Sequence, residues 1–489
     1  MAYIDFTRDQ IDSCVAQSAK AFQSFRLTSP ALRNRLLHAI SSELEKERIS
    51  LVATAAKETN LTEVRLNNEL NRTIFQLESY GDACEQGDWL EASVDHDSTP
   101  NSTKPVIKKQ MVPIGPIVVF GSSNFPFAYS TAGGDTASAL AAGCTVIVKA
   151  HPAHPETSTL AATCIERALA ACQLSTSIFS HVYGASNQVG EWLVKHPSVS
   201  CVAFTGSFAG GKQLFDWAAQ RRVPIPVFAE MGSVNPVFLL PQKLKQDYAA
   251  LATQLTASFS LGVGQFCTKP GLIVGVQCES LELFCAEMAK QVLALQPALL
   301  LHTGIEKSYL RKSDLLLEQQ HVELVARSVR PASAGEGQPL FTKVDAKTWL
   351  SNSLLQEENF GPYTQLIVCH NHTELLQVAE AMEGQLTCTL MATVQEAVEN
   401  QELIQLIEQR CGRLIFNGVP TGVEVCKSMH HGGPFPATTD ARFGAVGADA
   451  IKRFIRPISY QNWPEELLPP ALQDSNPLKI RRYKNGKLE

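Results

Sequence analysis

Cys267 in "GVGQFCTKPG", Glu230 in "VFAEMGS" and Asn124 in "FGSSNFPF" place a thiol, a carboxylate and a carboxamide at breaks between apolar runs. Cys267 follows two glycines and precedes Pro270-Gly271, the signature of a tight loop that lets other groups approach the backbone closely. Its thiol is either a small packing group or a nucleophile, and Lys269 favours a thiolate if its side chain turns inward. Glu230 ends an apolar strand, where it is either a solvated loop residue or a group at the sheet edge where α/β ligand sites form. Asn124 is either a turn-former or an N–H donor aimed at an oxyanion. A fourth stretch, "FTGSFAGGKQ" at 204–213, has the Gly206, Gly211 and Lys212 spacing of a nucleotide phosphate loop. It carries Gln213 where that loop needs a metal-binding hydroxyl, which tells against a P-loop hydrolase. What survives is an anion site at a helix start, where free N–H groups and the positive dipole end meet.

Such groups need a framework, and the chain is long enough to build one. Its 489 residues suffice for two or three domains. A hydrophobic content of 45% and a charged content of 18% are those of an ordinary globular protein. The net charge of −6 excludes the basic face a nucleic-acid binder needs. No apolar run is long enough for a membrane helix, and "MAYIDFTRDQIDSC" lacks the basic-then-apolar pattern of a secretory signal. The 13 cysteines, without a C-x-x-C pair, suit a reducing compartment, so a cytoplasmic location is expected.

The first hundred residues read as amphipathic helices, with Ser29 as a cap and Pro30 in a first turn. From Gly115 onward, short apolar runs alternate with helices: "PIVVFG", "TVIVKA", "FSHVYG" and "SCVAFTG" are the strands. Near-continuous apolarity favours a parallel sheet covered on both faces, hence a doubly wound α/β domain. A second series begins near Glu230 with "NPVFLLP", "GLIVGV", "YTQLIVC" and "GRLIFNG". His151 and His154 have no further His/Cys partner group and are flanked by Pro152 and Pro155, so a loop is expected there and no metal is assigned.

"SNFP", "VIVKA", "FTGS", "AEMGSVNP", "GQFC" and "ENFGP" occur in this order along nearly the whole chain. Together they resemble the NAD(P)-dependent aldehyde dehydrogenase superfamily. The resemblance implies an α/β fold with a Rossmann-like cofactor domain, an α/β catalytic domain and a small strand extension for oligomerisation. In this chain those parts are expected at 1–229, 230–427 and 428–489, the last returning to the cofactor domain. It implies Cys267 as the nucleophile, Asn124 as the oxyanion donor and Glu230 as the base that activates water. It implies Lys149 at the adenosine ribose, Gly206 and Ser207 at the pyrophosphate, and Glu358 and Phe360 at the nicotinamide riboside. The set of Cys267, Glu230 and Asn124 speaks against a catalytically silent relative. Strands within "KPVIKKQMVP" and "KRFIRPISYQ" are expected to form the extension of a homodimer or homotetramer.

"FGSSNFPFAYSTAGGDTASALAAGC", "GQFCTKPG", "NGVPTGVEV" and "HGGPFPATTDARFGAVG" resemble the branch of 2,5-dioxopentanoate (α-ketoglutarate semialdehyde) dehydrogenases and an NADP-dependent fatty aldehyde dehydrogenase. The first implies a small aldehyde substrate with a carboxylate, and Lys427, His430, His431 and Arg442 are the candidates to bind it. The second requires an apolar tunnel, for which Phe125, Phe266 and Phe435 are candidates. Three residues after Lys149, where NAD-preferring relatives often carry glutamate, stands Pro152. Without that like-charge repulsion, and with Lys149 and Lys212 nearby, NADP is expected to serve at least as well as NAD.

Overall fold

The computed structural model describes residues 3–96 and 104–489. The amino-terminal helices carry their own stop and start signals. Thr7 opens Arg8–Phe25 through a reciprocal pair of bonds with Gln10. Ser29 and Pro30 begin Pro30–Lys46, as the sequence indicates. Thr62 caps Glu63–Gln86, which ends at Gly87 in the left-handed region, φ 76°.

The first large sheet has five parallel strands in the order Phe179–Val182, Val146–Lys149, Ile117–Phe120, Cys201–Thr205 and Val227–Glu230. The chain enters at the central strand, builds outward to one side, then crosses to the other. That reversal leaves a crevice beyond the carboxyl ends of Ile117–Phe120 and Cys201–Thr205, where α/β sheets bind ligands. The central strand is buried on both faces: Ile117 and Val119 pack with Leu140 and Ile165, while Val118 and Phe120 pack with Val189 and Leu214. Period-two alternation thus feeds two cores, which explains why the strand reads as a continuous apolar run.

A second sheet has seven strands in the order Glu323–Arg327, Leu340–Asp345, Tyr363–Cys369, Leu272–Val276, Val237–Leu239, Gln385–Met391 and Cys411–Phe416. All its pairings are parallel except that of Glu323–Arg327. A third, smaller sheet pairs Ile107–Pro113 antiparallel with Ile455–Gln461, from Ile107 opposite Gln461 to Pro113 opposite Ile455. These are the two segments expected to form a strand extension. Among the described residues, no helix is long and apolar enough to cross a membrane.

One late segment, 431–439, ties the two large sheets together. On one side Met231 donates its N–H to Ala437 O at 2.8 Å and Thr439 donates to Ala229 O at 3.1 Å, extending the edge strand Val227–Glu230. On the other side Gly384 donates to Phe435 O. There the backbones touch so closely that a Cβ on Gly433 would collide with Gln385 O, one on Gly412 with Gly432 O and one on Gly384 with Pro434 O. Only glycine allows this approach. Gly433→Ala should therefore destabilise the protein by about 1–3 kcal/mol through overpacking. Thermal unfolding checks this, and an unchanged midpoint would show that the contact can relax.

Candidate active site

Cys267 sits on a loop whose shape is set by an unusual backbone. Gly262, Val263 and Gly264 all adopt left-handed φ values of 56°, 59° and 66°. That conformation is unfavourable for a β-branched valine and must be imposed by its surroundings. A Cβ on Gly264 would collide with Gly361 O, so the 262–264 turn is pressed against the segment after Glu358. Buried polar side chains hold the remainder. Asn235 Nδ2 donates to Cys267 O at 2.8 Å and to Lys269 O at 3.0 Å, and Gln265 Oε1 accepts from Leu301 N at 2.9 Å.

Lys269 corrects one expectation. Its buried Nζ donates to Asn359 O at 2.9 Å and Tyr363 O at 2.8 Å, so it braces the loop rather than favouring a thiolate. Burial lowers its pKa to about 8, with Glu358 opposing. The Cys267 thiol is instead pushed well above its ordinary value, first by burial and then by Glu230 and Glu358, with Arg72 opposing. At rest the sulfur is a neutral thiol.

The thiol has a partner that sequence reading placed elsewhere. His431, considered there only for a substrate tail, is 2% exposed. Its Nε2 lies 3.6 Å from Cys267 Sγ and 3.1 Å from Glu230 Oε1. Glu230 ends its strand 4% exposed, and apart from the approach of His431 and Cys267 its oxygens have no hydrogen-bond partner among the described residues. A buried carboxylate left this way is costly unless a ligand or proton carrier uses it. The glycine contacts around Gly432 and Gly433 deliver His431 to this position, and the pair in "HGGP" was the available signal. The ligand atoms of Glu230, Cys267 and His431 lie within 4.8 Å of one another. Asn124 joins them through Nδ2, which donates to Gln265 O at 3.3 Å.

Asn124, Glu230 and Cys267 line a cavity of about 430 Å³ that reaches the crevice beyond the parallel strands Ile117–Phe120 and Cys201–Thr205. Ser122 and Asn124 line it beyond one central strand, Gly206 and Ser207 beyond the other, and Glu230, Cys267, Glu358 and Phe360 complete the wall. Ser207 caps Phe208–Ala219, its Oγ accepting Gly210 N at 3.2 Å, so the helix start faces the cavity. Glu358 is half-buried and raised to about 7 by desolvation, with Lys269 and Lys312 opposing. Ser122 Oγ is buried without a partner. A cavity at a strand-order reversal, a helix amino terminus and spare polar groups fit a dinucleotide.

Of the other sequence candidates His151 lines this wall, and the rest fall outside it. Lys149 ends its strand with a pKa lowered to about 8 by burial, Asp5 opposing, and Pro152 lies exposed in the following turn. Lys212 is engaged by both carboxylate oxygens of Asp216, at 2.6 and 2.7 Å, one helical turn on. It is a paired helix residue rather than a free cation for a phosphate. His151 stacks on His154 at 5.5 Å, and His154 Nε2 bonds Ser122 O. Of the substrate-tail candidates, Lys427 pairs with Asp88 and Arg442 with Asp440. Phe125 and Phe266 meet edge to face at 5.6 Å, but Phe435 is 55% exposed against Phe208, so the three do not form one tunnel.

Known proteins agree with this geometry. The aldehyde dehydrogenase family matches over residues 2–434. The alpha-ketoglutaric semialdehyde dehydrogenase of Acinetobacter baylyi is 40% identical over 485 residues, covering 99% of this chain and 92% of the relative. Alpha-ketoglutaric semialdehyde dehydrogenase 2 of Azospirillum brasilense is 43% identical over 473 residues, covering 96% and 90%. A solved 1-pyrroline-5-carboxylate dehydrogenase from Thermus with bound NAD superposes with a TM-score of 0.78 at 20% identity, covering 94% of this chain and 86% of that one. The chain belongs to the aldehyde dehydrogenase family.

Proposed function

We propose that the protein oxidises 2,5-dioxopentanoate to 2-oxoglutarate, with Cys267 as nucleophile and NADP accepted at least as well as NAD. The observation that carries the chemistry is the part-buried contact of Cys267 Sγ with His431 Nε2, itself beside Glu230. The two semialdehyde dehydrogenases at 40% and 43% identity support the substrate.

The neutral thiol must lose its proton to attack, and His431 Nε2 is placed to take it, the Glu230 carboxylate stabilising the imidazolium. Attack on the aldehyde carbon gives a thiohemiacetal whose oxyanion is held by Asn124 Nδ2 and the Cys267 N–H. The dinucleotide, when bound, supplies the hydride acceptor. Ser207 and Gly206 would hold its pyrophosphate, Lys149 its ribose, and Glu358 and Phe360 its nicotinamide end. The thioester left on Cys267 is then hydrolysed by a water that Glu230 deprotonates. The architecture supports a cofactor domain over 1–229, a catalytic domain over 230–427 and a returning segment over 428–489. Limited proteolysis that cut first inside one of these spans rather than near 229 or 427 would count against that division.

An initial-rate screen of aldehydes with both coenzymes tests the function. Cys267→Ala should abolish oxidation while coenzyme binding persists. Glu230→Gln should give a burst of reduced coenzyme followed by slow turnover, since a carboxamide accepts no proton from water. Unchanged steady-state rates in either variant would remove that residue from the mechanism.

For coenzyme choice, Pro152→Glu should shift the kcat/KM ratio of NADP to NAD toward NAD by on the order of tenfold, because a carboxylate there repels a 2′-phosphate. A wild type that strongly prefers NAD would sink the argument from Pro152.

The paired strands Ile107–Pro113 and Ile455–Gln461 support a homodimer or homotetramer, and free thiols at all 13 cysteines support a cytoplasmic location. Light scattering should find a dimer or tetramer, and thiol titration of the denatured protein, purified without reductant, should find no disulfide. A monomer, or a missing pair of thiols, would overturn the corresponding part.

A further inference from the structure

Resting on the reading that the substrate is a short aldehyde bearing a carboxylate, we infer that Arg72 and Arg413 are the residues that bind this carboxylate. They arrive from separate parts of the fold: Arg72 from the helix Glu63–Gln86, Arg413 from the edge strand Cys411–Phe416. Both grip the same short loop. Arg413 donates from Nη1 to Gly422 O at 3.0 Å and from Nη2 to Pro420 O at 2.6 Å. Arg72 donates from Nη1 to Val423 O and from Nη2 to the Tyr129 hydroxyl at 3.3 Å.

Neither guanidinium forms an ion pair with a carboxylate among the described residues, and the Nε of each is buried without a partner. A guanidinium has five N–H donors in a planar fork, and here only neutral oxygens take some of them. Half-buried cations whose Nε atoms are shut off from solvent without an anion are costly, which points to an anion that arrives with the ligand. Glu69, one turn before Arg72, spends Oε1 on the N–H groups of Phe127 and Ala128, and its charge acts on Arg72 without an ion-pair contact.

The pair also lies at the right place. The charges of both arginines act on Cys267 and on Tyr129. In 2,5-dioxopentanoate the carboxylate stands four bonds from the aldehyde carbon, about 5 Å away when extended. Phe125 meets Phe266 and Tyr129 edge to face, with ring centroids 5.6 and 5.2 Å apart, and Arg72 lies over the Tyr129 ring at 5.8 Å. Arg65, seven residues before Arg72 on the same helix face, has a different task. It lies over Phe125 and Phe266 at 5.2 and 4.6 Å and donates to Asn124 O at 2.7 Å, so it positions the wall and the amide.

The test compares 2,5-dioxopentanoate with pentanal, a neutral aldehyde of equal length. In Arg72→Met and Arg413→Met the ratio of kcat/KM for the acid over pentanal should fall on the order of 10- to 100-fold, mainly through KM, as for the loss of a charge-assisted bond. Arg413→Lys, which keeps the charge but not the fork, should fall between. Equal losses on both substrates, or an unchanged ratio, would overturn the assignment alone. A wild type no better with the acid than with pentanal would overturn the substrate reading and the assignment together. Should a methionine variant not fold, inhibition of pentanal oxidation by glutarate reads the same site. Competitive inhibition in wild type, weakened on the order of tenfold in Arg413→Lys, supports it, and its absence in wild type overturns it.

Discussion

The close passage of 431–439 between the two large sheets is the constraint on which the site depends. Glu230 belongs to the edge of one sheet and Cys267 to a loop of the other, and neither sheet alone brings them together. Backbone bonds to Met231 and Ala229 on one side, and glycine-to-carbonyl contacts with Gln385 on the other, hold the segment in place. His431 is the side chain that this passage delivers. Small residues therefore set the distance between a thiol and its proton acceptor, although they take no part in the chemistry.

The site is built from buried charges that are only partly compensated. Lys269 is neutralised by carbonyl oxygens and by the field of Glu358, which is itself raised to about 7. The thiol is held neutral by burial and by two carboxylates. Strain in the same loop follows this pattern: Val263 is left-handed because Gly264 must lie against Gly361, and that contact presses the Cys267 turn toward the segment that carries Glu358 and Phe360.

Much of this was legible in the chain itself. Strands buried on both faces announce themselves as continuous apolar runs, so the parallel sheet over 117–230 was readable without coordinates. Ser29-Pro30 marked a helix start because a cap and a fixed φ act locally. Cys267, Glu230 and Asn124 could be singled out because a reactive group in a glycine-bounded loop has few local explanations. Lys269 and Lys212 were misjudged for a common reason. A lysine's reach spans many partners, and which one it takes (Asn359 and Tyr363, or Asp216) depends on packing.

By itself, then, the sequence determined the element types, the crevice of the parallel sheet and the residues proposed to react, because each rests on residue chemistry and short-range periodicity. Only the tertiary structure decided that His431 meets Cys267 and Glu230 while Lys427 and Arg442 pair away at the surface. It alone brought Arg72 and Arg413 to one loop, although they stand more than three hundred residues apart along the chain. An arginine on a helix and another on an edge strand each look solvated when taken singly. Their shared role exists only as a distance across the fold, and no local pattern encodes such a distance.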